Sequence, residues 1–237
     1  MHIVIAHYTE SLDWVNDIPK KYTISVYHKG PGGDTPNIGR ESHTYLKYIV
    51  DNYENLPKSV VFLQADPFDH LPIENQVSIQ HWLENWEETI DHTGLSQNLM
   101  TVHTLPTFRI TPWLKELEAN KVSLGLDNLE LPDKFEATLR IADEIVPQHE
   151  DLDFGSWFAK YIDQDANIDY PNILMYFGAC FGVSRERILL RSKEYYQRLL
   201  EQHTNVTPEE TYYIERAWFY VFKGQLSSVP FDSAHYS

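Results

Sequence analysis

The side chains whose types and placement could hold a metal are Asp66, Asp69 and His70, in the run Gln64-Ala65-Asp66-Pro67-Phe68-Asp69-His70 that follows a buried apolar strand. Two carboxylates and an imidazole are donors for hard divalent cations such as Mg²⁺ or Mn²⁺, which commonly add a substrate's phosphates to their ligand set. The competing reading is a plain Asp-Pro turn with a structural histidine. A second group, Asn37-Ile38-Gly39-Arg40-Glu41-Ser42-His43, joins an amide, a glycine, a guanidinium and a carboxylate at a predicted helix start. Free N–H groups and the dipole draw anions to such a terminus, and Arg40 adds a planar fork suited to phosphate. An ordinary cap with a surface Arg40–Glu41 pair would use the same residues. A third group, His7-Tyr8-Thr9-Glu10-Ser11-Leu12-Asp13-Trp14, is polar and aromatic, able to stack on a base and bond a ribose, or simply to cap a helix.

Two further places hold reactive types. Glu215, in Glu215-Arg216-Ala217-Trp218, is an acid or base if it faces a cleft and a solvated or paired carboxylate otherwise. Cys180 lies in the apolar run Tyr176-Phe177-Gly178-Ala179-Cys180-Phe181-Gly182-Val183 and reads as an inert core thiol. Gly178 and Gly182 there allow a close approach, either of a ligand or of packed neighbours. The eleven histidines show no His-Glu-x-x-His spacing, and the chain lacks the phosphate-loop, dinucleotide and nucleophile-elbow glycine motifs.

The elements that must position these groups alternate along the first third, as in α/β layer folds. Residues 2–6 are an apolar strand, and residues 22–28 a second strand ending at Lys29-Gly30. A turn-rich loop then leads to a helix over 40–56, with Tyr45, Leu46, Ile49, Val50, Tyr53 and Leu56 on one face. Pro57 closes it, and Val60-Val61-Phe62-Leu63 is a buried strand that delivers Asp66. Ligands of open α/β sheets sit beyond the carboxyl ends of the strands, where all three groups fall. Further on, the spacing predicts a helix over 74–91 carrying Trp82, Leu83, Trp86 and Ile90, and another at 133–142. A glycine-containing strand runs into a helix from Ser184 to about 202. Thr207-Pro208-Glu209-Glu210 reads as a capping box opening a last helix to Phe222, with Gly224 as its stop. Trp82, Trp86, Phe108 and Trp113 are core residues or, alternatively, the lining of an acceptor cleft.

The 237 residues suit one α/β domain or two small ones, and at 42% hydrophobic they can bury a core. A formal charge of −16 disfavours nucleic acid and anionic membranes, so a polyanionic ligand needs a local cation or a metal. One cysteine allows no internal disulfide, and no apolar run is long enough to span a bilayer. The N-terminal strand is too short for a signal peptide, and these features together point to the cytoplasm.

The segments HIVIAHYTESLDWV, YHKG, NIGRESHTYLKYIVDNYENLP, VVFLQADPFDH, YFGACFGVSRERI and IERAW together resemble the uncharacterised family called domain of unknown function 3431, in order from residue 2 to 218. That family looks like the GT-A glycosyltransferases. The resemblance implies a single Rossmann-like domain over 1–225, its mixed central sheet flanked by helices, with a nucleotide-binding part over about 1–70, an acceptor side over 71–225 and a tail over 226–237. It further implies transfer of a sugar from a nucleotide-sugar donor to a glycan or other hydroxyl acceptor, with a divalent metal, Mn²⁺ or Mg²⁺. His7, Tyr8, Glu10, Lys29, Asn37, Gly39 and Arg40 would then hold the donor, and Asp66, Asp69 and His70 the metal. Asp66, Glu41 and Glu215 would be the catalytic carboxylates. Gln64 stands where such enzymes carry the first acid of an Asp-x-Asp motif. That departure keeps a non-catalytic sugar- or nucleotide-binding protein in view, and the 66–70 cluster keeps a metal-dependent hydrolase.

Overall fold

In the parallel core of this α/β fold the first and third strands alternate their side chains between two apolar layers. The computed structural model describes residues 1–68, 78–96, 98–114, 145–147, 149, 151–162 and 170–223. Strands β1 (His2–His7), β2 (Thr23–His28) and β3 (Ser59–Gln64) are parallel, with β1 between the other two. The register pairs Ile3 with both Ile24 and Val61. Strand β6 (Phe181–Ser184) joins the free edge of β3 antiparallel, with Phe62 opposite Phe181, so the four-stranded sheet is mixed. Strands β4 (Leu99–His103) and β5 (Asn172–Tyr176) form a separate antiparallel pair.

Because strand side chains alternate, Ile3, Ile5, Val61 and Leu63 face one layer while Val4, Val60 and Phe62 face the other. The first layer is helix α2 (Ile79–Thr93), which buries Ile79, Leu83, Trp86 and Ile90 and is capped by the Ser78 hydroxyl. The opposite layer holds α1 (Arg40–Asn52), α5 (Lys193–Leu200) and α6 (Glu210–Val221), with α1 packed against both of the others. Tyr45 and Phe181 lie in edge contact at 5.8 Å, and Phe181 sits 5.1 Å from Trp218, centroid to centroid. Wedged between sheet and helices, α1 buries Ser42, His43, Thr44 and Tyr48 as well as Tyr45, Leu46, Ile49 and Val50 of the predicted apolar face, but it ends at Asn52 rather than 56, and Tyr53 and Leu56 follow in a 3-10 turn and its cap. Helix α3 (Phe154–Tyr161) lies against α6, and α4 is the single turn Arg185–Ile188.

Three further expectations are corrected. The predicted helix from Ser184 to about 202 is two helices, because the chain turns at Leu189–Arg191 and Ser192 caps α5 by accepting from the Tyr195 amide. The glycine-containing strand ahead of Ser184 is also two. A 3-10 turn at Phe177–Ala179, with Gly178 at φ 60° and Ala179 at φ 53°, moves the chain from the β4–β5 pair into the main sheet. The capping box at 207–210 does not form: Glu210 accepts instead from the His149 amide at 3.0 Å, and no side chain caps α6. Gly182 is a packing residue, since a Cβ there would lie 2.3 Å from Ile90 Cδ1. Burial pushes the Cys180 thiol up to about 12, consistent with an inert core residue. The helix predicted at 133–142, the Gly224 stop and the tail over 226–237 lie outside the described residues.

Candidate functional site

The chain leaves β1 for β2 on one side and then crosses by α1 to β3 on the other. This makes the carboxyl edge of β1 and β3 a topological switch point, where the loops diverge and open a crevice. A cleft of about 210 Å³ occupies that place, lined by Ala6, His7, Tyr8, Glu10, Lys29, Asn37, Arg40, Glu41, Gln64 and Ala65. Seven of these were singled out from the sequence: His7, Tyr8, Glu10, Lys29, Asn37, Arg40 and Glu41. Gln64, marked in the sequence only as the residue in place of an expected acid, lines the cleft too, with Ala6 and Ala65, whose small side chains carried no chemical signal. A larger surface concavity of about 540 Å³ lies at the other end of β3, between Lys58, Asp91, Gly94, Ser184 and Arg187, and holds none of the predicted residues.

The corner at the start of α1 is built by Gly39. Its φ of 59° is left-handed, and a Cβ would meet the His203 ring at 2.5 Å, so glycine is required twice over. The Gly39 amide donates to the Asn205 carbonyl at 2.8 Å, and no side chain caps the helix. Arg40 follows at φ 47°. Its Nη1 donates to the Tyr212 hydroxyl at 3.0 Å, its guanidinium lies 5.4 Å from the Tyr212 ring centroid, and its Nε is 3.6 Å from Glu41 Oε2. Burial works against the charge of Arg40, but Glu41, Tyr212 and Glu215 more than offset it and hold its pKa above the usual arginine value.

Lys29 is buried, and its Nζ donates to the Ile38 carbonyl at 2.5 Å and to the Arg40 carbonyl. It stitches the end of β2 to the corner. Burial, helped by Arg40 and opposed by Glu41, brings its pKa down to about 8. No carboxylate lies within ion-pair distance of it among the described residues, which leaves a buried cation beside the cleft without a counter-charge. His43 and His203 pack near it with ring centroids 6.4 Å apart, and burial lowers them to about 4 and about 3.

On the β1 side, Glu10 accepts from the Tyr8 and Thr9 amides at 2.9 and 3.0 Å, closing the loop back on itself. His7 stacks on His28 at 4.7 Å, with their Nδ1 atoms 2.7 Å apart. The His7 Nε2 is 3.0 Å from the Glu10 carbonyl, which can only accept, so Nε2 carries a proton. Exposed Tyr8 stands at the mouth, and Trp14, donating to the Ala65 carbonyl at 2.8 Å, meets Phe68 edge-on at 5.7 Å.

Glu215 does not line the cleft. It lies on α6 behind it, half-buried, and burial together with Glu41 pushes its carboxyl up, against the pull of Arg216 and Arg40. Asp66 is exposed just past the cleft floor, and Asp69 and His70 lie outside the described residues. Among the described residues no three His, Cys, Asp or Glu side chains gather as a metal set. Gln64 donates to the Gly178 carbonyl at 2.5 Å, so the amide at the position of the expected first acid ties β3 to the turn after β5. Trp86 is core, Trp113 is exposed, and none of Trp82, Trp86, Phe108 or Trp113 lines the cleft. The residue that the sequence reading missed is Tyr212, one helical turn before Glu215 and on the same face of α6.

Fold and cleft together define an α/β protein with a polar switch-point crevice. The chain belongs to the family described as Protein of unknown function (DUF3431), which it matches over residues 3–236. Comparison with curated proteins and with solved structures found no match to either. Among the described residues no helix is long and apolar enough to cross a membrane.

Proposed function

We propose that the cleft binds a nucleotide-diphosphate sugar and that the protein is a glycosyltransferase of GT-A type, moving the sugar to a hydroxyl of a glycan or small acceptor. The observation that carries this reading is the meeting of Lys29 and Arg40 with the uncapped N-terminus of α1 in one crevice, with Glu41 beside them. Two cations and free helix N–H groups suit a diphosphate on an otherwise acidic protein. The cleft volume suits the diphosphate and part of its sugar, the base extending toward exposed Tyr8.

In this mechanism the acceptor oxygen bonds to the anomeric carbon as the bond from that carbon to the diphosphate oxygen breaks. The charge arriving on the leaving diphosphate is met by Arg40 and the amides of α1. In an inverting transfer the acceptor proton passes to Glu41, since the other cleft-lining carboxylate, Glu10, is held by the Tyr8 and Thr9 amides, with Glu215 behind it as the alternative base. A divalent metal would add Lewis-acid stabilisation of the same leaving group. One exposed carboxylate, Asp66, falls short of a chelating set among the described residues.

A second reading, a non-catalytic nucleotide- or sugar-binding protein, is favoured by Gln64, whose amide serves a structural bond. The deciding experiment is a thermal-shift screen of UDP, GDP, CMP and their sugar conjugates with and without Mn²⁺, followed by product analysis with hydroxyl acceptors. A ligand at about 100 times its dissociation constant raises stability by about 2.7 kcal/mol. A nucleotide hit with sugar transfer supports the transferase, and a hit without turnover supports the binding protein. Phosphate-ester cleavage without an acceptor makes the protein a hydrolase. Asp66→Ala should remove any Mn²⁺-dependent part of the shift and leave the rest, and an unchanged Mn²⁺ response would release Asp66 from the metal role.

A further inference from the structure

Arg40 reaches the cleft at a backbone cost. It follows Gly39 with φ of 47° after 59°, two left-handed residues in a row, and the second has a Cβ that disfavours this conformation. Such strain persists where surrounding bonds over-determine it, and it concentrates at sites of function. Here the restraints converge from three parts of the chain. Lys29 donates to the Arg40 carbonyl from the end of β2, the Asn205 carbonyl holds the Gly39 amide, and Tyr212 on α6 takes the guanidinium.

The Tyr212 contact differs in kind from an ordinary ion pair. Its hydroxyl accepts from Nη1 and its ring lies beside the guanidinium plane, so it fixes direction without cancelling charge. Tyr212 is itself 6% exposed and anchored with Ile110, Leu114 and Ile145, so it is a rigid support. Glu41 approaches only the Nε side, at 3.6 Å, and Nη2 has no protein partner among the described residues. We infer that Tyr212 is a positioning residue: it presets the Arg40 guanidinium, with one edge open, for a phosphate-type oxyanion in the cleft. This rests on the anion-binding part of the reading above. Its advantage is pre-organisation, because a long side chain already held in place loses less freedom when the ligand arrives.

The test is isothermal titration of inorganic pyrophosphate into the whole chain and its Arg40→Ala, Tyr212→Phe and double variants, with melting curves for each. Arg40→Ala should weaken binding by about tenfold or more and Tyr212→Phe by about fivefold, the latter with the melting temperature nearly unchanged. In the Arg40→Ala background Tyr212→Phe should cause no further loss, which a merely structural tyrosine would not reproduce. Arg40→Gly separates backbone from side chain: it should melt above Arg40→Ala, since glycine accepts this φ, yet bind pyrophosphate equally poorly. Wild-type affinity in Tyr212→Phe, or an equal loss with and without Arg40, overturns the positioning role alone. Failure of the wild-type chain to bind pyrophosphate, or full affinity in either Arg40 variant, overturns the anion-cleft reading and this inference with it.

Discussion

Replacing Lys29 by methionine should change the pH dependence of stability in a direction opposite to most alkaline effects. Lys29 has a folded pKa brought down to about 8 from an ordinary value of 10.5, so the unfolded chain holds the proton more tightly. For a base with a depressed folded pKa, the unfolded state binds more protons between the two values. Stability therefore rises with pH through that window. Below the folded value the full cost of the buried ammonium is present, about 3 kcal/mol from a shift of that size. By about pH 9.5 roughly 2 kcal/mol of it should be relieved. Raised tyrosines such as Tyr48, pushed up to about 12 by burial, act in the other direction at still higher pH, so the comparison must be made between wild type and variant. The variant also leaves the Ile38 and Arg40 carbonyls unpaired, an offset that does not vary with pH. Urea denaturation of both proteins in steps between about pH 7 and 9.5 gives the difference directly, and it should move toward the wild type by about 2 kcal/mol. A difference that stays flat across this range would mean that Lys29 keeps an ordinary pKa, and the account of it as an uncompensated buried cation would be wrong.

Other consequences follow from the same geometry. Gly39→Ala should cost about 2–4 kcal/mol, combining a left-handed φ with a Cβ driven into His203; a loss below about 1 kcal/mol in urea titration would show that the corner is free to shift. Arg109→Met should destabilise by about 3 kcal/mol, because Glu209, 1% exposed, loses bonds of 2.6 and 3.1 Å and keeps only the Ile110 amide of its described partners. A near-neutral Arg109→Met would mean that the Glu209 carboxylate finds solvent. Glu215→Gln should be more stable than wild type at neutral pH. An acid with a raised folded pKa loses stability as pH climbs through its unfolded value, so the gap should close in acid, and a gap independent of pH would contradict the burial of that charge.

What the sequence made legible was the part of the molecule governed by local rules. Strands β1, β2 and β3 and most of helix α1 appear where apolar runs, β-branched and aromatic enrichment, and three-to-four apolar spacing put them, because each of these patterns records apolar side chains that must be buried. The cleft residues were legible for a topological reason: in parallel sheets the chain segments that follow strands must meet at one edge, so His7, Lys29 and Arg40 converge although they are far apart in sequence. What failed to show was the competition from distant partners. Glu210 has the spacing of a capping-box acid, yet the His149 amide claims its carboxylate, while Arg109 and the Ile110 amide claim Glu209 beside it. Two buried carboxylates at a helix start are costly unless tertiary donors satisfy them, and no window of local sequence can contain both Arg109 and Glu209. The same limit explains Tyr212. Its role depends on Arg40, 172 positions earlier, and the only local sign was its place one turn from Glu215 on the same helix. A polar helix face pointing at a sheet edge is thus the cue worth following: once Glu215 is suspected of looking toward the cleft, the residues three and four positions from it, Thr211, Tyr212, Trp218 and Phe219, are candidates too, and Tyr212 is the one that joins a ring to a hydroxyl able to accept from a guanidinium without neutralising it.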